Sequence, residues 1–185
     1  TKIRLILRLP HQETKMFHGF PVLDGGNYPL TFLIQTSSLI PKDSDNLPTG
    51  RIYGPTGFLS GQNLTASKLD TGSITAASNP TPIVITAPSH GLTDGVAIQV
   101  SGVAGNTGAN GLWKITRVNA NQFSLDNSVG SGAYTSGGAW HVSGLYQFTI
   151  DPSTSNGYET GAYMMLVNYE IGGTEQAQEI HFQVT

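Results

Sequence analysis

The chain has no cysteine among its 185 residues. That excludes disulfide staples, cysteine-ligated metals and thiol nucleophiles. Charge is scarce too: Asp, Glu, Lys and Arg make up 11%, against about a quarter in ordinary soluble domains. A net charge of −3 speaks against the basic footprint of a nucleic-acid binder. No apolar run approaches the roughly 20 residues of a membrane-spanning helix. The start "TKIRLILRL" interleaves basic with apolar residues, where a secretion signal has a continuous apolar core. No stretch keeps a helical period for three turns. An apolar share of 38% still supports a real core, so the chain is not a disordered tail.

What is present has a period of two. "KIRLILRL" places Ile3, Leu5, Leu7 and Leu9 on one face and Lys2, Arg4 and Arg8 on the other, ending at Pro10. The same alternation groups Leu30, Phe32 and Ile34; Tyr146, Phe148 and Ile150; Tyr163, Met165, Val167, Tyr169 and Ile171; and Ile180, Phe182 and Val184. Asp24-Gly25, Asn156-Gly157 and Gly172-Gly173 punctuate these runs as turns, and the last two strands form a hairpin joined through "GGTEQAQ". The pattern predicts an all-β fold. The basic start faces an acidic end, with Asp151, Glu159, Glu170, Glu175 and Glu179 in residues 143–185 and no Lys or Arg there. Were the termini neighbouring strands, cross-strand charge pairs would support their pairing.

The middle is different. Residues 80–142 carry Asp94, Lys114, Arg117 and Asp126 as their only charges and have their own short strands: "PIVIT", "VAIQV", "GLWKITRV", "QFSL" and "GAWHV". Turn signals at His90-Gly91, Asp94-Gly95, Asn110-Gly111 and Gly137-Gly138 separate them. Evenly spaced Val, Ile, Trp and Phe distinguish this stretch from a disordered Gly/Asn spacer. It predicts a small barrel or curled sheet. The small, polar, proline-containing "TGSITAASNPTP" upstream reads as a junction. The predicted organisation is a discontinuous sandwich from 1–79 plus 143–185, with residues 80–142 inserted as a barrel in one loop.

Candidate chemistry is sparse. His11, His18, His90, His141 and His181 make no HxH, HxxH or HExxH arrangement, so no metal site is predicted. His90, before Gly91, is expected to shape a turn. Asp43 and Asp45 lack the glycine and distal Glu of a calcium loop and read as a solvated loop. No Gly-x-Ser-x-Gly elbow occurs, and "GVAGNTGANG" lacks the Lys-Ser/Thr and following helix of a phosphate loop. Neither a catalytic residue nor a cofactor is predicted, and the chain reads as a non-enzyme. Trp113, Tyr134 and Trp140 either form a sugar-stacking platform or fill the barrel core. The long stretch "RLPHQETKMFHGFPVLDGG" is either an arm, with Phe17 and Phe20 contacting a neighbouring subunit, or hides a strand around Phe20 and Val22.

The His90-Gly91-Leu92 turn, "SGVAGN", "NGLWKI", "NQFSLD" and the closing "GAYTSGGAW" together resemble a module of tailed-phage virion proteins. That module is distantly similar to the small β-barrel forming the first catalytic-cysteine half-domain of ubiquitin-activating enzymes. The likeness covers about a third of the chain. Without a cysteine, no ubiquitin chemistry is implied. "GLYQFTIDPSTSNGYETGAYMMLVNYEIGGTEQAQEIHFQV" and "LDGGNYPLTFLI" resemble strands of immunoglobulin-like modules in phage baseplates and head appendages. The resemblances imply an immunoglobulin-like sandwich in a phage structural protein, assembled in the host cytoplasm and resident in the virion. The expected role is capsid decoration, with the major capsid protein and further copies of the chain as partners, and neither nucleic acid nor membrane. Alternatives are a baseplate, neck or tail-tip/fibre component, or a carbohydrate-binding adhesion module.

Overall fold

The computed structural model describes the backbone of residues 3–8, 16–17, 20–23, 27–36, 38–153 and 156–185, and the side chains of 27–36, 38–57, 63–153 and 156–185. The protein is all-β. Its strands are β1 (Ile3–Arg8), β2 (Met16–Phe17), β3 (Phe20–Leu23), β4 (Tyr28–Thr36), β5 (Thr49–Gly54), β6 (Gly57–Thr65), β7 (Ser67–Lys68), β8 (Thr71–Ser73) and β9 (Ala76–Ala77). There follow β10 (Val84–Thr86), β11 (Ala97–Ser101), β12 (Gly111–Asn119), β13 (Gln122–Leu125), β14 (Ala139–Val142), β15 (Leu145–Ile150), β16 (Gly161–Ile171) and β17 (Thr174–Val184). The chain divides into two compact units: Thr1–Ser67 with Gly144–Thr185, and Lys68–Ser143.

The first unit is built from two sheets, ordered β1-β4-β15-β7 and β2-β3-β17-β16-β5-β6. Alternation decides which side chains they enclose. Leu30, Phe32 and Ile34 of β4 meet Tyr146, Phe148 and Ile150 of β15 from one sheet; Tyr163, Met165 and Val167 of β16 and Ile180, Phe182 and Val184 of β17 come from the other. Together they form one buried cluster, in which each fully enclosed apolar side chain contributes about 1.5–3 kcal/mol. Phe32 stacks on Phe148 at 5.2 Å between ring centroids, and Tyr163 on Phe182 at 5.5 Å.

The β16–β17 ladder runs unbroken from Gly161↔Val184 to Ile171↔Thr174. Its turn is Gly172-Gly173 alone, with φ of +59° and +72°, the left-handed pair a two-residue hairpin needs. "TEQAQ" is therefore strand and not connection. β1 pairs with β4, while the neighbours of β17 are β3 and β16. Among the described residues the basic start and acidic end share no ladder, so the condition for cross-strand charge pairing is not met there. Segment Phe20–Leu23 is a strand, and its Val22 and Leu23 run parallel to Gln183 and Val184. The Asp24-Gly25 turn lies outside the described residues.

The second unit is one seven-stranded sheet in the order β8-β14-β11-β12-β13-β10-β9. Its two edge strands are consecutive in sequence, parted only by Ile74 and Thr75. Ile74 N–H bonds to Gly138 O at 2.9 Å on the β14 side, and Thr75 N–H bonds to Thr86 O at 2.9 Å on the β10 side. A single segment, 71–77, thus serves both edges and curls the sheet into a half-barrel around Ile83, Ile85, Ile98, Val100, Ile115, Phe123, Leu125 and Trp140. This corrects the junction expected there. The small residues of "TGSITAA" suit a strand pressed against a large ring: Gly72 opposes Trp140, and a Cβ on it would meet the indole Nε1 at 2.7 Å.

The Gly/Asn-rich loops of this unit are folded by side-chain clamps. Asn106, fully buried, donates to Ser78 O at 2.7 Å and accepts from Ser131 N–H at 2.9 Å. Asn110 exchanges two bonds with the backbone of Val103, both 2.9 Å. Amide side chains here do what ladder bonds do in strands, which satisfies buried backbone groups.

Candidate functional site

The residues singled out by sequence do not converge. Trp140 is 4% exposed and belongs to the barrel core, edge-on to Phe123 at 6.1 Å. Trp113 is half-buried against that core and donates its Nε1–H to Ala109 O at 2.8 Å. Tyr134, also half-buried, has its hydroxyl 3.0 Å from Gly137 O and 3.2 Å from Ile74 O. These three rings make no exposed row. Phe17 and Phe20 are backbone ladder partners in the β2–β3 pair, and their side chains lie outside the described residues.

His90 is buried, accepts Leu92 N–H on Nδ1 at 3.0 Å, and lies with Nε2 2.9 Å from Asn119 O, where it donates. That geometry holds a turn. His141 Nε2 lies 2.9 Å from Lys68 Nζ, and His181 Nε2 lies 3.3 Å from Glu179 Oε2. His11 and His18 fall outside the described residues. Among those described, no three His, Cys, Asp or Glu side chains are placed to hold a metal ion.

Asp43 and Asp45 are not a solvated loop. Asp43 Oδ1 accepts Gly144 N–H at 2.7 Å, and Asp45 Oδ2 accepts Gly173 N–H at 2.8 Å. Between them Ser44 N–H bonds to the Tyr146 hydroxyl at 3.0 Å, while Ser44 Oγ both accepts from Glu170 N–H at 3.0 Å and donates to Glu170 O at 3.1 Å. The loop is thereby fastened along the end of β16. Burial pushes the Tyr146 hydroxyl well above the usual phenol range, and the nearby Asp43 charge pushes it further. Tyr158 is pushed up chiefly by burial and finds no hydrogen-bond partner among the described residues.

The fastened loop walls a groove of about 420 Å³ on the outward face of the six-stranded sheet. Outward positions of β16 supply Leu166, Asn168 and Glu170; β5 supplies Thr49 and Arg51; β17 supplies Glu175; the loop supplies Asn46 and Leu47. Arg51 is the ladder partner of Leu166, and Thr49 of Asn168. Glu170 and Glu175 stand directly opposite each other. Asn46 Nδ2 donates to Glu170 Oε2 at 2.6 Å. The side chains of Arg51, Asn168 and Glu175 make no hydrogen bond or ion pair among the described residues. Leu47 is 47% exposed beside them.

A second groove, about 490 Å³, lies on the barrel and is lined by Thr81, Pro82, Thr116, Ser124, Asp126 and Asn127. Its polar groups are largely spent within the fold: Thr116 Oγ1 donates to Asp126 Oδ1 at 2.9 Å, and Ser124 Oγ to Thr116 O at 3.3 Å. The first groove keeps free donors and acceptors and is the stronger candidate. Sequence reasoning missed it. The available signal was the run "YMMLV", apolar at successive positions, where a strand with one solvated face alternates.

No protein-family model matches the chain, and no curated protein matches it. Among solved structures, a chain described as phage phi92 endosialidase overlaps 89% of this protein at 16% identity, with a TM-score of 0.29. This protein spans 28% of that chain.

Proposed function

We propose that the protein is a structural component of a tailed-phage particle, a capsid decoration protein that binds the shell and joins neighbouring subunits. The reading takes the first unit as an immunoglobulin-like body carrying the barrel in one of its loops. The observation that carries the docking role is the groove on the outward sheet face. It is open, polar, and apolar at Leu47 and Leu166, with the side chains of Arg51, Asn168 and Glu175 unpaired among the described residues. That is the composition of a protein-contact surface. The phage assignment rests on the motifs of residues 90–140. In this reading the partners are the major capsid protein and further copies of the chain, and the protein performs no catalysis. The enclosure of Trp140 supports the barrel-core reading of that ring over a sugar-stacking one.

Density-purified particles of the source phage provide the test. Quantitative mass spectrometry is expected to find the protein in fixed ratio to the shell subunit, and antibody labelling to decorate heads under the electron microscope. Label on the tail or neck instead selects the baseplate, neck or tail-tip role. Absence from particles overturns the proposal.

A further inference from the structure

Along the outward face of β16, Leu166 and Glu170 are four residues apart, about 13 Å at strand spacing. Arg51 lies beside the first and Glu175 beside the second. The groove therefore has a cation at one end, carboxylates at the other, and an amide, Asn168, between them, with Leu47 and Leu166 as apolar lining. Of these, the Glu170 carboxylate is held by Asn46 Nδ2 at 2.6 Å, and the side chains of Arg51, Asn168 and Glu175 are unspent among the described residues. Arg51 and Glu175 have no ion-pair partner among the described residues, and the Asn168 amide makes no side-chain bond. Glu170 and Glu175 directly opposite each other repel, a small standing cost in the free protein that a bound cation would remove. The wall is rigid, because residues 44–46 are tied to Glu170 and Gly173 by five hydrogen bonds of their own backbone and side chains.

We propose that this groove takes an extended segment of a partner protein bearing an acidic side chain and, four residues along, a basic one. This inference rests on the docking role argued above and names the chemistry of the docked segment. An extended chain repeats at the spacing of the strand beneath it, so residues i and i+4 reach Arg51 and the Glu170–Glu175 pair together. Asn168, with two donors and an acceptor, matches the N–H and C=O of a passing main chain. Leu47 and Leu166 offer apolar surface to a neighbouring side chain of the segment. A polyanion is repelled at the carboxylate end and a polycation at Arg51, so the groove selects a paired-charge sequence.

The probe is an array of acetylated, amidated octapeptides carrying Asp or Glu and Lys or Arg at spacings of two, four and six. Charge-scrambled and neutral peptides, and an oligosaccharide array, serve as controls. The full-length protein is expected to favour spacing four and to lose binding as salt rises through about 0.5 M. Arg51→Glu and Glu175→Lys, both at exposed positions, should each weaken that binding at least tenfold without lowering Tm, and the double reversal should recover it for peptides of reversed charge order. Binding that ignores spacing, binding unmoved by either variant, or preference for a saccharide overturns the inference. So does self-association of the protein that disappears in Arg51→Glu, which makes the occupant a second copy. Particle incorporation separates the two levels. Wild-type protein on particles with Arg51→Glu equally incorporated sinks the groove and leaves the virion role; wild-type protein absent from particles sinks the role itself.

Discussion

Two tyrosines in the same core are expected to answer oppositely to the same change. The Tyr146 hydroxyl accepts Ser44 N–H at 3.0 Å and is hydrogen-bonded to Asp43, whose carboxylate also holds Gly144 N–H. Tyr158, 1% exposed, keeps a buried hydroxyl with no partner among the described residues. Removing the first hydroxyl strands a buried N–H and loosens a charged acceptor, so Tyr146→Phe should cost about 2–3 kcal/mol. Removing the second relieves a desolvated, unpaired group, so Tyr158→Phe should range from neutral to about 1 kcal/mol stabilising. Urea unfolding is the assay, with a midpoint separation of about 1 M or more between the variants. The two units can be followed apart. Both tryptophans, Trp113 and Trp140, lie in the second unit, whereas Tyr134 is its single tyrosine and the other six belong to the first. Tyrosine near-UV dichroism therefore reports the unit that holds the mutations, and tryptophan fluorescence should not move. Alkali gives a second reading. Both hydroxyls are raised above their unfolded value, so the unfolded chain ionises first. Stability is intact below about pH 10 and falls as pH rises beyond it. Tyr158→Phe should flatten that fall. Equal costs for the two variants, or a larger cost for Tyr158→Phe, would refute the hydrogen-bond assignment.

Other outcomes follow from single positions. The Trp140 indole N–H is buried without a partner, so Trp140→Phe should cost well under the roughly 3–5 kcal/mol of Trp140→Ala, read by urea unfolding of the second unit with Trp113 as fluorophore. Gly72→Val should destabilise the same unit by overpacking against that ring, and Gly72→Val with Trp140→Phe should recover part of the loss. Asn106→Ala breaks bonds to Ser78 and Ser131 in a fully buried position and should lower second-unit stability by about 2–4 kcal/mol while tyrosine dichroism of the first unit persists. Leu39 is 63% exposed with φ of +61°, a region that costs a branched residue about 1 kcal/mol; Leu39→Asn should raise the melting temperature of the first unit by about 2–4 °C, and a fall would show that the side chain makes a packing contact.

Most of the strand set was legible in the sequence because alternation is local. Ile180, Phe182 and Val184 announce an inward face whatever lies across from them, and Gly172-Gly173 announces a turn because two left-handed residues in a row exclude a Cβ. What alternation cannot say is which strand lies beside which. β1 joining β4 rather than β17, and β3 running parallel to β17, depend on contacts between residues far apart in the chain. The same limit hid residues 71–77. Their small side chains look like a linker until Trp140 is seen to need a residue without a Cβ beside its ring.

The sequence by itself determined that this protein is a cysteine-free, all-β chain whose middle third has a core of its own, since composition and a period of two are properties of the chain alone. Only the tertiary structure decided which side chains share a groove. Arg51, Asn168 and Glu175 are ordinary solvent-facing residues in three strands, and they become one charged, amide-lined groove through the β5–β16–β17 register and the loop fastened across its end. A groove is a relation between strands, and no single strand encodes it.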